Sequence, residues 1–343
     1  MKFGITYSIQ SLTGEWTRIC RDVLDQVERA DALGIDYALV SEHHLVEENG
    51  YFPSPLTVLA AFAARTERIR LATGILLLPL HHPMAIAEMV AVIDNLSAGR
   101  VTLGVGMGYR PEEFAAFNVP IKERGGRMEE SLRLLDLLLR ERDVHSEGPH
   151  FPMEGVTLMP RPVQTPRPPL WTAAKVPNAI RRAARLSDGW YIDPVTAFGI
   201  ILERAPIFRE AWKEAGKEDA PPDIILRREA FVAETDEEAW EAAREGVLYL
   251  YGEYLNWGHL TDDDGRPIQP GAGALDVLRD RFLIGSPETV ARRIRECEEA
   301  LGNTHLVVRM QFPGTDPERV MKSIRLLAEE VAPKFRNEGK PSS

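Results

Sequence analysis

Glu42, His43 and His44 stand in a row at the end of the apolar run Tyr37-Ala38-Leu39-Val40. A carboxylate beside two imidazoles can hold, accept or pass a proton near neutral pH. A fully buried parallel strand reads as such a run, and α/β proteins place their chemistry at its carboxyl end. A strand-end histidine tied to nearby backbone is the plain alternative. Two of them beside a carboxylate, at that position, favour a functional role. Adjacent strand residues point to opposite faces, so His43 and His44 do not share one metal ion. The first strand also lacks a His-x-His pair, so a metal hydrolase is disfavoured and no metal is expected.

A second candidate is Ala174-Lys175-Val176-Pro177-Asn178. Proline at the first helical position marks a helix start, which puts Val176 at the N-cap, where it cannot accept from the exposed N–H groups. A phosphate on those amides would serve as acceptor, with Lys175 adding charge; capping by water or a neighbouring loop is the alternative. The apolar stretch Leu71–Pro79, with Thr73, Gly74 and Ile75 at its centre, can form a platform for a flat ring or simply pack. Tyr7, Met107 and Trp190 lie near the ends of three other strands and can shape an apolar pocket or belong to the core.

Positioning these residues takes a barrel. Strand-like runs at Lys2–Ile9, Asp36–His44, Ile69–Leu78, Val101–Gly106, Leu170–Ala174, Gly189–Ile192, Ile224–Ala233 and His305–Met310 alternate with helical patterns. Ser54-Pro55, Ser286-Pro287 and Asp316-Pro317 read as capped helix starts, and Thr235 with Glu238 as a capping box. Eight such units predict one (β/α)8 TIM barrel over residues 1–335, an α/β fold with excursions after strands four and seven. The excursions fall at about 143–169 and 256–284; the first is read as lying over the barrel mouth, with a passive spacer as the alternative, and the second, rich in Gly, Asp and Pro, reads as poorly ordered; residues 336–343 read as a disordered tail. An open doubly wound sheet would show a glycine-rich first turn. Gly104-x-Gly106-x-Gly108 follows strand four instead, with the wrong spacing.

At 343 residues and 44% hydrophobic composition the chain can build a large core, and no apolar run reaches the roughly 20 residues of a membrane span. The net charge of −11 argues against a nucleic-acid partner. Met1-Lys2 runs directly into a strand pattern, so no signal peptide is expected, and Cys20 and Cys297 suggest no disulfide; a cytoplasmic location follows as an expectation.

Together these motifs resemble the bacterial luciferase-like flavin-dependent oxidoreductases. The resemblance rests on Ser41-Glu42-His43-His44, Thr73–Pro79, Asp94-x-Leu96-Ser97-x-Gly99-Arg100 running into Val101–Gly108, and Arg127-x-x-Glu130. Asp188-Gly189-Trp190, Ile284–Glu288 and Gln311-Phe312-Pro313-Gly314 complete it, over nearly the whole chain. It implies reduced FMN, or the deazaflavin coenzyme F-420, at the carboxyl ends of the strands. By the same resemblance His43 is the functional histidine, with His44 beside it and Glu42 orienting the pair. The flavin phosphate would lie at Ala174, Lys175, Val176 and Pro177, and a non-prolyl cis peptide would fall near Gly74-Ile75. Met107 stands where the luciferases proper carry a phosphate-binding arginine, which leaves Arg110 and Arg127 as further phosphate candidates. With FMN the implied activity is monooxygenation of a small organic substrate by O2, fed by a separate flavin reductase. With the deazaflavin it is hydride transfer; a non-catalytic flavin-binding protein is the third reading. The expected assembly is a homo-oligomer.

Overall fold

The computed structural model describes residues 1–10, 13–46, 53–256, 258, 260–262, 265–268 and 278–336. Among them a ring of parallel strands closes on itself. It runs β1 (Lys2–Tyr7), β2 (Tyr37–Val40), β3 (Arg70–Thr73), β5 (Val101–Gly106), β8 (Leu170–Ala173), β9 (Gly189–Ile192), β10 (Asp223–Val232) and β12 (His305–Arg309), which pairs back with β1. Short pieces extend it: β4 (Leu76–Leu77) pairs with β5, and β11 (Leu283–Gly285) with the end of β10. The expected barrel is present.

Strand periodicity explains why the runs are apolar on both faces. Tyr37, Leu39, Ala72, Trp171, Tyr191, Ile225 and Val307 point inward and pack together as the barrel core. Their neighbours Phe3, Ile5, Tyr7, Ala38, Val40, Leu71, Leu103 and Val105 face the surrounding helices. Those helices are α1 (Trp16–Ala32), α2 (Pro55–Arg65), α3 (Pro83–Leu96), α4 (Pro111–Ala116), α5 (Arg124–Arg140), α6 (Pro177–Leu186), α7 (Phe198–Glu214), α8 (Asp236–Asn256), α9 (Pro287–Leu301) and α10 (Pro317–Leu326). None of the described helices is long and apolar enough to cross a membrane.

The helix starts divide as their sequences do, with one exception. Ser286 accepts from Thr289 N–H, Asp316 from Glu318 N–H and Thr235 from Glu238 N–H. Ser54 does not cap: its backbone is left-handed, at φ 65°, whereas a capping residue needs the extended region to present its oxygen. Val176 is extended and offers no side-chain cap.

Residues 143–169 differ from the cover expected of them. β6 (Val144–Ser146) and β7 (Met153–Val156) form an antiparallel hairpin lying along the flank of α5. Glu130 of α5 accepts from His150 and Phe151 N–H, and Arg161 donates to the carbonyls of Leu138, Leu139 and Glu141 at the other end of α5. Satisfying those helix-end carbonyls holds the segment to the helix side. Much of the second excursion, and residues 337–343 of the tail, lie outside the described residues.

Candidate active site

The chain turns out of β2 into Ser41–His44 at the carboxyl rim, and the three proton-carrying groups part company there. His43 meets a residue from another element: its Nδ1 lies 3.0 Å from Oε1 of Glu113, in the first turns of α4. The same oxygen accepts the backbone N–H of His44 at 2.9 Å, and the Arg110 guanidinium stands 3.6 Å away while donating to the His44 carbonyl. With a carboxylate as acceptor, Nδ1 carries the proton. Glu113 is fully buried, and its Oε2 has no hydrogen-bond partner among the described residues.

His44 turns the other way. Its Nε2 lies 3.0 Å from Oε1 of Glu42, and Nε2 of His81 lies 2.8 Å from that same oxygen. The second Glu42 oxygen takes the Leu77 N–H. Burial works against ionising Glu42, but the bonds from His44, His81 and Leu77 outweigh it and hold the carboxyl down at about 2. Glu42 therefore does not orient His43 directly; it ties β2 to the β4 segment. The ligand atoms of Glu42, His44 and His81 all lie within 4.8 Å of one another. Tetrahedral zinc ligands, roughly 2.0–2.1 Å from the metal, stand about 3.3 Å apart. The observed 2.8 and 3.0 Å are hydrogen-bond lengths, so the cluster reads as a buried proton-donor network around one carboxylate.

Beside this rim the third strand breaks. The Gly74–Ile75 peptide is cis, where the resemblance put one. Thr73 is fully buried, donating to the Gly104 carbonyl and accepting its N–H at 2.9 Å, so it holds backbone and does not face the mouth. A Cβ on Gly104 would stand 2.1 Å from the Thr73 carbonyl, and one on Gly106 would stand 2.2 Å from Ile75 Cδ1. Gly104-x-Gly106 thus lets the broken strand lie against β5. Ile75 is left partly exposed as an apolar ledge.

Across the mouth, Met107, Ile121, Val176, Asn178 and Ala179 line a pocket of about 450 Å³ together with Lys122, Arg124 and Arg182. It contains the uncapped start of α6. Arg182 reaches from α6 to 3.7 Å from the Met107 sulfur, and its Nε is buried without a hydrogen-bond partner among the described residues. Burial pushes this guanidinium below its ordinary value, which an anion would relieve.

The other expected residues are placed elsewhere. Lys175 is not among the pocket residues, and its carbonyl receives Arg204. Arg127 donates to the Pro79 carbonyl and lies over the Phe151 ring, and Arg110 serves the His44–Glu113 corner. Tyr7 packs edge-on against Phe62 of α2, and Trp190 stacks on Phe208 of α7 while donating to the Ala174 carbonyl. Both belong to the barrel–helix layer, because they occupy outward strand positions. Glu113, His81, Lys122, Arg124 and Arg182 were not anticipated. Glu113 sits one turn into a short helix after β5, where Pro111-Glu112-Glu113 marks a helix start but not a partner.

The sequence profile described as luciferase-like monooxygenase matches residues 1–304. The chain belongs to that family. Limonene 1,2-monooxygenase of Rhodococcus erythropolis is 28% identical over 92% of this chain and 81% of its own. The F420-dependent glucose-6-phosphate dehydrogenase of Kribbella flavida is 30% identical over 93% and 95%. Among solved structures, the oxygenating constituent of 3,6-diketocamphane monooxygenase from Pseudomonas putida, in complex with FMN, superposes with a TM-score of 0.81 at 25% identity, over 97% of this chain and 98% of that one. This luciferase-like protein is accordingly an oxidoreductase with a TIM-barrel fold.

Proposed function

We infer that this luciferase-like protein is a monooxygenase that takes reduced FMN and O2 and oxygenates a small organic substrate at the barrel mouth. The observation that carries the reading is the α6 pocket. An uncapped helix start, three cations and a buried, unpartnered Arg182 Nε suit a phosphate monoester, which brings nearly two negative charges. Lys175 sits at the edge of that start and adds charge. The Ile75 ledge, supported by Gly104 and Gly106, suits the face of a flat ring. The flavin, when bound, supplies the electrons that activate oxygen.

The chain's own part is proton handling and shelter. His43 exchanges a proton through Nε2, while Glu113 fixes its tautomer from the Nδ1 side. The Glu42–His44–His81 network holds the ledge in register with β2. A separate reductase is the natural source of reduced flavin, in keeping with the diketocamphane relative being an oxygenating constituent. Residues 1–335 act as one unit, with 143–169 and 256–284 as insertions.

A second reading, hydride transfer with the deazaflavin F420, is favoured by the Kribbella relative. Calorimetric titration with FMN, riboflavin and F420 separates them. FMN is expected to bind at least tenfold more tightly than riboflavin. Equal affinities would remove the phosphate site, and strong F420 binding with weak FMN binding would establish the second reading.

A further inference from the structure

The α6 pocket carries a reactive side chain that phosphate binding does not use. Met107, just past β5, is partly exposed and lines the cavity of about 450 Å³. Its sulfur accepts from Arg182 Nη2 at 3.7 Å, and Nε of the same guanidinium is buried with no partner among the described residues. A thioether sulfur is a weak acceptor, so the guanidinium is poorly satisfied. Other methionines are placed differently. Met128 and Met310 are fully buried, while Met89 and Met159 are exposed and stand outside the pocket lining.

A cavity of that size admits hydrogen peroxide, and a thioether is the group that peroxide oxidises. The sulfur lone pair attacks one peroxide oxygen; the S–O bond forms and the O–O bond breaks. Sulfur gives up an electron pair, which leaves on the other oxygen as hydroxide. That hydroxide takes the proton released by the attacked oxygen and departs as water. Arg182, already beside the sulfur, is within reach of the negative charge that develops on the departing oxygen. On the monooxygenase reading the oxidant arises at the same mouth, because oxygen reduced there without an organic substrate leaves as hydrogen peroxide.

The product changes what Arg182 meets. A sulfoxide oxygen is polar and a far better acceptor than a thioether sulfur, and it projects from an atom already in contact with Nη2. It takes a guanidinium N–H that a phosphate oxygen would otherwise use, and it fills part of the cavity.

We propose that Met107 is an oxidation site whose sulfoxide closes the α6 pocket to phosphate groups. That the phosphate belongs to FMN rests on the flavin reading; the oxidation and its effect on inorganic phosphate do not. Ligand-free protein is treated with dilute hydrogen peroxide, quenched with catalase, and mapped by tandem mass spectrometry. Oxygen is found on Met107, and saturating inorganic phosphate slows its arrival there but not at Met159. After oxidation, inorganic phosphate and FMN bind about fivefold or more weakly by calorimetry, and riboflavin stays within about twofold. Met107→Leu, whatever its own affinity, shows no change on peroxide treatment. Met107→Gln, with an amide oxygen in the sulfoxide's place, binds phosphate about fivefold more weakly without peroxide. Should either variant fail to fold, the wild type decides: loss of phosphate binding must rise in step with the oxidised fraction at Met107, not at Met89 or Met159.

Met107 left intact while Met89 and Met159 are oxidised overturns the proposal. So does full oxidation of Met107 with phosphate affinity kept, or an equal loss in treated Met107→Leu. Phosphate binding lost on oxidation, with FMN and riboflavin held alike throughout, would reject the flavin reading and leave the oxidation site standing. Untreated protein that binds neither phosphate nor FMN would overturn both.

Discussion

Nδ1 of His43 and Oε1 of Glu113 lie 3.0 Å apart across 70 residues of chain. A pair so placed holds the imidazole from its Nδ1 side. Glu113→Gln is expected to lower turnover about 10–100-fold by weakening the hold on the tautomer. His43→Ala is expected to lower it about 10²–10⁴-fold, the usual range for a positioned acid or base. Both should leave FMN affinity within threefold, since the proposed phosphate pocket at α6 is lined by residues of other elements. Single-turnover oxidation of bound reduced FMN by air, together with thermal unfolding, makes the check. Normal turnover in folded His43→Ala would remove the assignment.

Glu42 makes stability depend on acid. Its folded carboxyl is depressed from the model-peptide value of 4.5 to about 2, so its contribution is fully present above about pH 4.5 and fades as pH falls toward 2. The shift corresponds to a contribution on the order of 3 kcal/mol. Urea unfolding of wild type and Glu42→Gln should diverge as pH rises through that window and stay parallel above it. A constant difference from pH 3 to 7 would show that the carboxylate charge is not what matters. His44→Ala, which removes one of three donors to Glu42, should cost about 1–3 kcal/mol at neutral pH.

Arg182 and Lys175 make opposite predictions about the phosphate. Arg182→Met should weaken FMN binding about tenfold or more and leave riboflavin binding unchanged, because a buried charge-assisted contact is lost. Lys175→Met should change FMN binding only about two- to threefold, since Lys175 does not line the pocket. Fluorescence titration of both variants is sufficient, and the reverse ranking would restore Lys175 as the main phosphate contact.

Gly104 tests the ledge. A methyl there would stand 2.1 Å from the Thr73 carbonyl, a backbone atom that cannot swing aside. Gly104→Ala should cost about 3 kcal/mol or more and loosen flavin binding. Gly252→Ala on α8, where no atom of the other described residues lies within 4 Å of the added Cβ, should instead stabilise by about 0.4–1 kcal/mol. Denaturant midpoints compare the two, and similar shifts would mean that strand three can relax.

Local pattern was enough for the barrel, because buried parallel strands must be apolar on both faces and helices must start and stop at capping signals. It was enough for His43 and His44 at a strand end, and for the bare helix start at Val176, since alternation and capping are properties of neighbouring residues. Which carboxylate serves which histidine was not local. Glu42 adjoins His43 in sequence yet binds His44 and His81, while Glu113 arrives from α4, because the chain turns out of β2 at the rim and ring closure brings distant rims together. The same holds for Arg182, Arg124 and Lys122 around α6. Their meeting depends on barrel register, which only the closed sheet sets.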